Sequence, residues 1–256
     1  MIDDRALVDP NARIAADVNI GPFTIIEAGV SIGAGSVIGP NVVIRKNTTI
    51  GENNRIFQFC SIGEDPQFSE YRKEETFLVI GDRNTIREYS TLNRGSPIGI
   101  GTTLIGNDNL IMAYAHIAHD SILGSHIIFA NGASLAGHVE IGDYAILGGF
   151  TLVHQYCRIG EHSITGIGTV CLKDVPPYIV ANGNTAIPHG INTKGLRPRG
   201  FSEVTIQGLR QAYRLIYRKG LAQVKALAEL ECAEISTPEV AKFAEFIRSS
   251  KRGIIR

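Results

Sequence analysis

Six of the chain's seven histidines, His116, His119, His126, His138, His154 and His162, fall within a stretch of 47 residues in a total of 256. Imidazole titrates nearest to neutral pH, so such a concentration marks a place where protons can be moved. The segment AHIAHD sets Asp120 beside His119, the arrangement of a general base held by a carboxylate. Three imidazoles could instead hold a zinc ion with one position open, and a single histidine could merely satisfy a loop carbonyl. The spacing narrows the choice. His119, Gly137 and Gln155 step by 18 residues, as do Asp120, His138 and Tyr156, and Ala118, Ala136 and His154. Gln155 and Asp120 favour a hydrogen-bonding site over a metal.

A step of 18 requires a scaffold with that period. An aliphatic residue recurs at every sixth position from Val8 through Ile14, Ile20 and onward to Ile62. It resumes at Ile80, Ile86, Leu92 and Ile98, slips by one residue, and continues from Ile105 to Ile159, with Thr165 and Cys171 keeping the spacing. Neither a strand period of 2 nor a helical 3.6 produces this. A triangular coil of three short strands does, with one aliphatic side chain per side pointing to the axis. Stacked turns at the strand spacing of ~4.8 Å then bury a column that no single repeat could form. Glycine often follows the aliphatic residue, as at Gly21, Gly33, Gly39 and Gly51, and is expected to relieve corners of positive φ. Small or β-branched residues sit four after it, as at Val18, Thr24 and Ser36.

The expected fold is an all-β left-handed parallel β-helix over residues 1–190, followed by a C-terminal α-helical domain over 191–256. Residues 64–79 break the repeat with charge and aromatics, as an external loop does, and 99–104 carry the slip and suggest a smaller loop. Loops leaving a rigid scaffold usually carry function. Helices are expected in the segments 202–219, 222–235 and 237–250. A thin prism offers no deep cleft, so a homotrimer with a groove between copies is expected from the architecture.

Lys and Arg balance Asp and Glu at 25 each, so the excess positive charge of a nucleic-acid binder is missing. Cys60, Cys157, Cys171 and Cys232 show no CxxC pair. Neither disulfides nor a zinc site is indicated. No apolar run reaches the ~20 residues of a membrane helix, and the N-terminus has no signal-peptide pattern. A cytoplasmic protein without a transmembrane segment is expected.

The segments AHIAHD (115–120), LAGHV (135–139), VHQYC (153–157), DVPPY (174–178), PRGF (198–201) and RGIIR (252–256) resemble the bacterial UDP-N-acetylglucosamine O-acyltransferases, the family that begins lipid A synthesis. The likeness is collinear over nearly the whole chain. It implies transfer of a 3-hydroxyacyl group from acyl carrier protein to the sugar 3-hydroxyl, without metal or cofactor. On this resemblance His119 is the general base, Asp120 holds its imidazole, and the Gly137 N–H faces the developing oxyanion. His116, His138, His154, Gln155, Gln67, Asn192 and Arg199 would position sugar, phosphates or acyl chain. Ile167 stands where small residues in the family admit long acyl chains, so a shorter chain is expected. Between Lys194 and Lys219 lie seven basic residues and one acidic. Arg210 and Arg214, with Arg199, would meet the acidic carrier protein.

The chain also departs from the family. Gln67-Phe68-Ser69-Glu70-Tyr71 stands where the family reads Gln-Asp-Leu-Lys-Tyr. Asn192-Thr193-Lys194 replaces Asn-x-Glu, and Pro198-Arg199 replaces an Arg pair. These changes leave the histidine cluster intact but open the acceptor. A paralogue acting on a different nucleotide amino sugar is one alternative, a coenzyme A-dependent relative another, and a non-catalytic scaffold a third.

Overall fold

A computed structural model describes residues 1–231 and 237–256; Cys232 and the end of the segment 222–235 lie outside the described residues. Most strands are two residues long, an outward side chain followed by an inward aliphatic one, as in Asn19–Ile20 and Val37–Ile38. They stack into three sheets of nine, eight and ten strands in which, up to the end of the coil, each strand pairs with one three positions along the chain. The first sheet begins at Leu7–Val8, the second at Arg13–Ile14 and the third at Asn19–Ile20. This is the parallel β-helix that a period of six demands. The inward column, Ile20, Ile26, Ile32, Ile38 and onward, is buried, each side chain contributing roughly 1.5–3 kcal/mol on leaving water.

The glycine expectation is corrected. Gly21, Gly33, Gly39 and Gly51 do not occupy the left-handed region. Apart from Gly63 after Ile62, positive φ falls instead mostly three residues after the aliphatic position, at Phe23, Asn41, Asn53, Phe59, Asp120, His138 and Tyr156 among others. The glycines answer a different constraint, the close passage of the next turn. A Cβ on Gly21 would lie 2.7 Å from the backbone nitrogen of Pro40, and one on Gly33 2.7 Å from the carbonyl carbon of Gly51. The left-handed corners let outward side chains stack turn on turn, as Phe59, Tyr89 and Tyr114 do with ring centroids 5.1 and 5.0 Å apart.

Two inserts interrupt the coil. Ile80 pairs with Ile50, thirty residues earlier instead of eighteen, because residues 65–76 leave the coil between strands Ser61–Glu64 and Phe77–Ile80. The expected loop 64–79 is thus shorter, its last residues being strand. Ile105 pairs with Ile80, twenty-five residues earlier, because residues 94–101 form a second loop between strands Thr91–Asn93 and Thr102–Ile105. Ile98 is exposed there and is no core position, which corrects its assignment to the repeat and moves the smaller loop forward from 99–104.

The last strand, Ile187–Ile191, turns back antiparallel on Ile179–Asn182 and leads into helices α1 (Thr193–Leu196), α2 (Glu203–Tyr217), α3 (Gln223–Glu231) and α4 (Pro238–Arg248). Ser202 and Thr237 cap α2 and α4 through their side-chain oxygens, as their types favour. The chain end returns to the coil: Asp174 N–H donates to Gly253 O at 3.0 Å and Ile255 N–H to Asp174 O at 2.9 Å. Two of the segments that carry the family likeness are therefore one joint. No helix among the described residues is long and apolar enough to cross a membrane.

Candidate functional site

Strand register brings the histidines together. His116 pairs with Ser134 and Ile117 with Leu135, which in turn pairs with Val153. His119, Gly137 and Gln155 therefore follow one another on the edge after the first sheet. His119 and Asp120 are buried, and His119 Nδ1 lies 2.8 Å from Asp120 Oδ2. With Nδ1–H donating to the carboxylate, Nε2 is the basic atom, and among the described residues it has no partner. The imidazole lies over Gly137, where a Cβ would stand 2.5 Å from His119 Cε1 and 2.7 Å from Nε2. Only glycine leaves room, and the Gly137 N–H has no acceptor among the described residues. A free imidazole nitrogen beside a free backbone donor is what attack on a thioester carbonyl needs.

The loops complete the site from outside the repeat. Gln67, His116, His119, Gly137 and Gln155 line one cavity of about 440 Å³. Phe68 tilts over His119 with centroids 6.1 Å apart. The loop is anchored by Arg94, which is fully buried and donates to Gly63 O, the Asp65 carboxylate and the Tyr71 hydroxyl. His116 Nδ1 is 2.7 Å from Thr91 Oγ1. His138 stands edge-on to His119 at 5.0 Å and stacks on Tyr156 at 4.4 Å.

Burial and hydrogen bonding compete at the groups around Asp120. Burial would raise the Asp120 carboxyl, but hydrogen bonds from His119 and Ser96 outweigh it and hold it below the usual range. Burial lowers His116, with His119 adding to the effect; burial also lowers His138, against the opposing pull of the Asp120 charge. His116 makes its bond to Thr91, whereas His138 Nε2 is buried without a hydrogen-bond partner among the described residues. A cation site at His119, Asp120 and His138, whose ligand atoms lie within 4.8 Å of one another, competes with bonds already made. His119 Nδ1 and both carboxylate oxygens are engaged.

Other residues singled out from the sequence lie elsewhere in one copy. His154 is exposed, its Nδ1 3.1 Å from Gln155 O. Asn192 is buried and bridges His162 O and Gly195 N, while Arg199 covers the Tyr144 ring at 5.0 Å. Both belong to the edge after the second sheet, where His126, Tyr144 and His162 stack. Ile167 is 81% exposed on the edge after the third sheet. Arg210 and Arg214 project from α2 into solvent. A larger cavity of about 890 Å³ between the second sheet and α4 holds none of these residues. The sequence reading missed Thr91, Ser96, Gly101 and Thr103, and nothing periodic marks them.

The description of a family, "Udp N-acetylglucosamine O-acyltransferase; Domain 2", fits residues 174–255, and that of the bacterial transferase hexapeptide repeats fits 11–46 and 102–137. An acyl-[acyl-carrier-protein]–UDP-N-acetylglucosamine O-acyltransferase of Pseudomonas aeruginosa is 53% identical over 256 residues, covering 100% of this chain and 99% of its own. Solved structures of UDP-N-acetylglucosamine acyltransferases from Moraxella catarrhalis and Bacteroides fragilis superpose with TM-scores of 0.97 and 0.98. They share 44% and 41% identity, cover this chain fully, and are themselves covered to 99% and 100%.

Proposed function

The chain belongs to the UDP-N-acetylglucosamine O-acyltransferase family, and from that premise we propose that it moves an acyl group from acyl carrier protein to UDP-N-acetylglucosamine in lipid A synthesis. The observation that carries the mechanism is the His119–Asp120 pair lying over Gly137. His119 Nε2 takes the proton of the sugar 3-hydroxyl as its oxygen attacks the thioester carbonyl. The carbonyl oxygen gains charge beside the Gly137 N–H. Collapse expels the carrier protein's thiolate, which takes the proton back from His119. Asp120 stabilises the imidazolium in between. No cofactor enters, because a thioester is already activated and positioning does the rest.

The placement of the remaining residues supports a homotrimer. His119, the Asn192–Arg199 group and Ile167 occupy three different edges of the prism, so one copy cannot line a single groove with all of them. Closed threefold symmetry sets the edge of one copy against another edge of the next. The exposed Ile167 would then meet the end of a 3-hydroxyacyl chain, and Asn192 and Arg199 the nucleotide. Arg210 and Arg214 present the docking surface for the carrier protein. A cytoplasmic location follows from these soluble substrates.

The test is turnover of UDP-N-acetylglucosamine with 3-hydroxyacyl carrier proteins of several lengths, wild type beside His119→Ala. Loss of turnover by about 10³-fold or more is expected for removal of a general base of this kind. Equal turnover by both proteins refutes the assignment of the base. Turnover only with another nucleotide amino sugar moves the acceptor, with Phe68 and Glu70 as the cause.

A further inference from the structure

The loop 94–101 departs from the coil and comes back over Asp120. Asp120 Oδ2, the oxygen that meets His119, also accepts Ser96 N–H at 2.9 Å and Ser96 Oγ–H at 2.6 Å. Oδ1 accepts Gly101 N–H at 3.0 Å. The Asp120 N–H itself donates to Thr103 Oγ1 at 2.9 Å. Gly99 lies against the carboxylate, where a Cβ would stand 2.3 Å from its carbon. Ser96 is fully buried, and a buried hydroxyl that donates to an anion makes a short, strong bond. This loop gives one turn of the coil its seven additional residues, and two of its residues, Ser96 and Gly101, grip this one side chain.

We propose that Ser96 is a positioning residue for the acyl transfer, forming with Asp120 and His119 a relay in which the loop 94–101 sets the orientation and the pull of the carboxylate on the base. The inference rests on His119 acting as the base. The shared oxygen is the key. A carboxylate oxygen that accepts two bonds from Ser96 has less charge to offer an imidazolium at His119. Removing the Ser96 hydroxyl leaves that oxygen more basic and freer to rotate. The imidazolium is then favoured, and the acidic limb of the rate profile, which reports the neutral base, moves to higher pH. The other groups facing the pair are His138, whose Nε2 is 3.9 Å from Asp120 Oδ2, His116 and the uncharged Phe68 ring. None of them changes in the variant.

The experiment compares wild type, Ser96→Ala, Ser96→Thr, Ser96→Cys and His119→Ala in the full-length enzyme. It measures kcat and KM for UDP-N-acetylglucosamine from pH 5.5 to 9, with a melting curve for each. For Ser96→Ala we expect kcat to fall by about tenfold, roughly two orders of magnitude less than the loss of the base itself. KM should stay within about twofold and the acidic limb should move upward. Ser96→Thr, which keeps the hydroxyl, restores both, and Ser96→Cys, a weaker donor, falls between. A Ser96→Ala enzyme with wild-type kcat and an unmoved limb overturns the proposal, provided His119→Ala is inactive. So does a loss of activity that follows melting temperature across the series with no rescue by threonine. If His119→Ala is itself active, it is the assignment of the base that has failed.

Discussion

Gly137→Ala tests the geometry most directly, because the change is one methyl group at a position of known clearance. Gly137 does not have positive φ, so alanine meets no backbone strain and the effect is purely steric. The added carbon would stand 2.5, 2.7 and 3.1 Å from His119 Cε1, Nε2 and Nδ1, against about 3.5–4.0 Å for relaxed contact between carbon atoms. The backbone cannot yield, since His138 N–H donates to His119 O at 3.0 Å and Tyr156 N–H to Gly137 O at 3.1 Å. The imidazole must therefore move by about 1 Å, away from both the Gly137 N–H and the Asp120 carboxylate. A misplacement of about that size costs roughly 10²-fold, and crowding of the oxyanion donor adds to it. The assay is kcat with both substrates saturating, alongside the melting temperature. We expect a fall of at least about 10²-fold with melting changed by only a few degrees. A Gly137→Ala enzyme keeping more than about a third of wild-type kcat would refute the placement of His119 over this residue, because no imidazole fits there beside a methyl group.

Reversing Arg210 and Arg214 to Glu should lower kcat/KM for acyl carrier protein about tenfold or more at low salt, each exposed charge contributing up to ~1 kcal/mol. The deficit should shrink as salt is added, and a salt-independent deficit speaks against an electrostatic docking face. Ile167→Gly should shift donor preference toward longer chains, the ratio of long to short turnover rising about tenfold for two extra methylenes at ~0.8 kcal/mol each. An unchanged ratio removes Ile167 from the chain-length site. The Asp120 carboxyl is held below its usual range in the folded protein. It thus contributes stability above its unfolded pKa, and this is lost as pH falls through the lower folded value. Asp120→Asn should be less stable than wild type at pH 7, and the gap in denaturant midpoint should close as pH drops below about 4. A gap that stays constant with pH contradicts the ionised carboxylate.

The scaffold was legible because its cause is local and repeated. An aliphatic residue every sixth position has one economical burial, and that burial fixes which residues 18 apart become neighbours. His119, Gly137 and Gln155 are aligned by that spacing alone. The glycines were misread because composition records where a small residue sits, not which contact requires it. Gly21 faces Pro40 of the next turn, while Phe23 takes the left-handed corner. Ile98 was misplaced because an apolar residue at the right count is no core residue once the chain has left the coil.

What the tertiary structure alone decided is where aperiodic segments return. Nothing in the spacing of Ser96, Gly101 or Thr103 marks them as partners of Asp120, nor Arg94 as the anchor that holds Gln67 and Phe68 above the base. These contacts join residues more than fifteen positions apart through loops without a repeat. The same holds for the three edges on which His119, Asn192 and Ile167 stand. Distance from the site depends on which corner a residue occupies, and each insert resets the count. The sequence by itself determined a coil of stacked turns, a histidine–aspartate pair on its edge and the family to which both belong. Folding decided how the two loops hold that pair, because sterics acts between neighbours along the chain, whereas a carboxylate takes its donors from wherever the fold brings them.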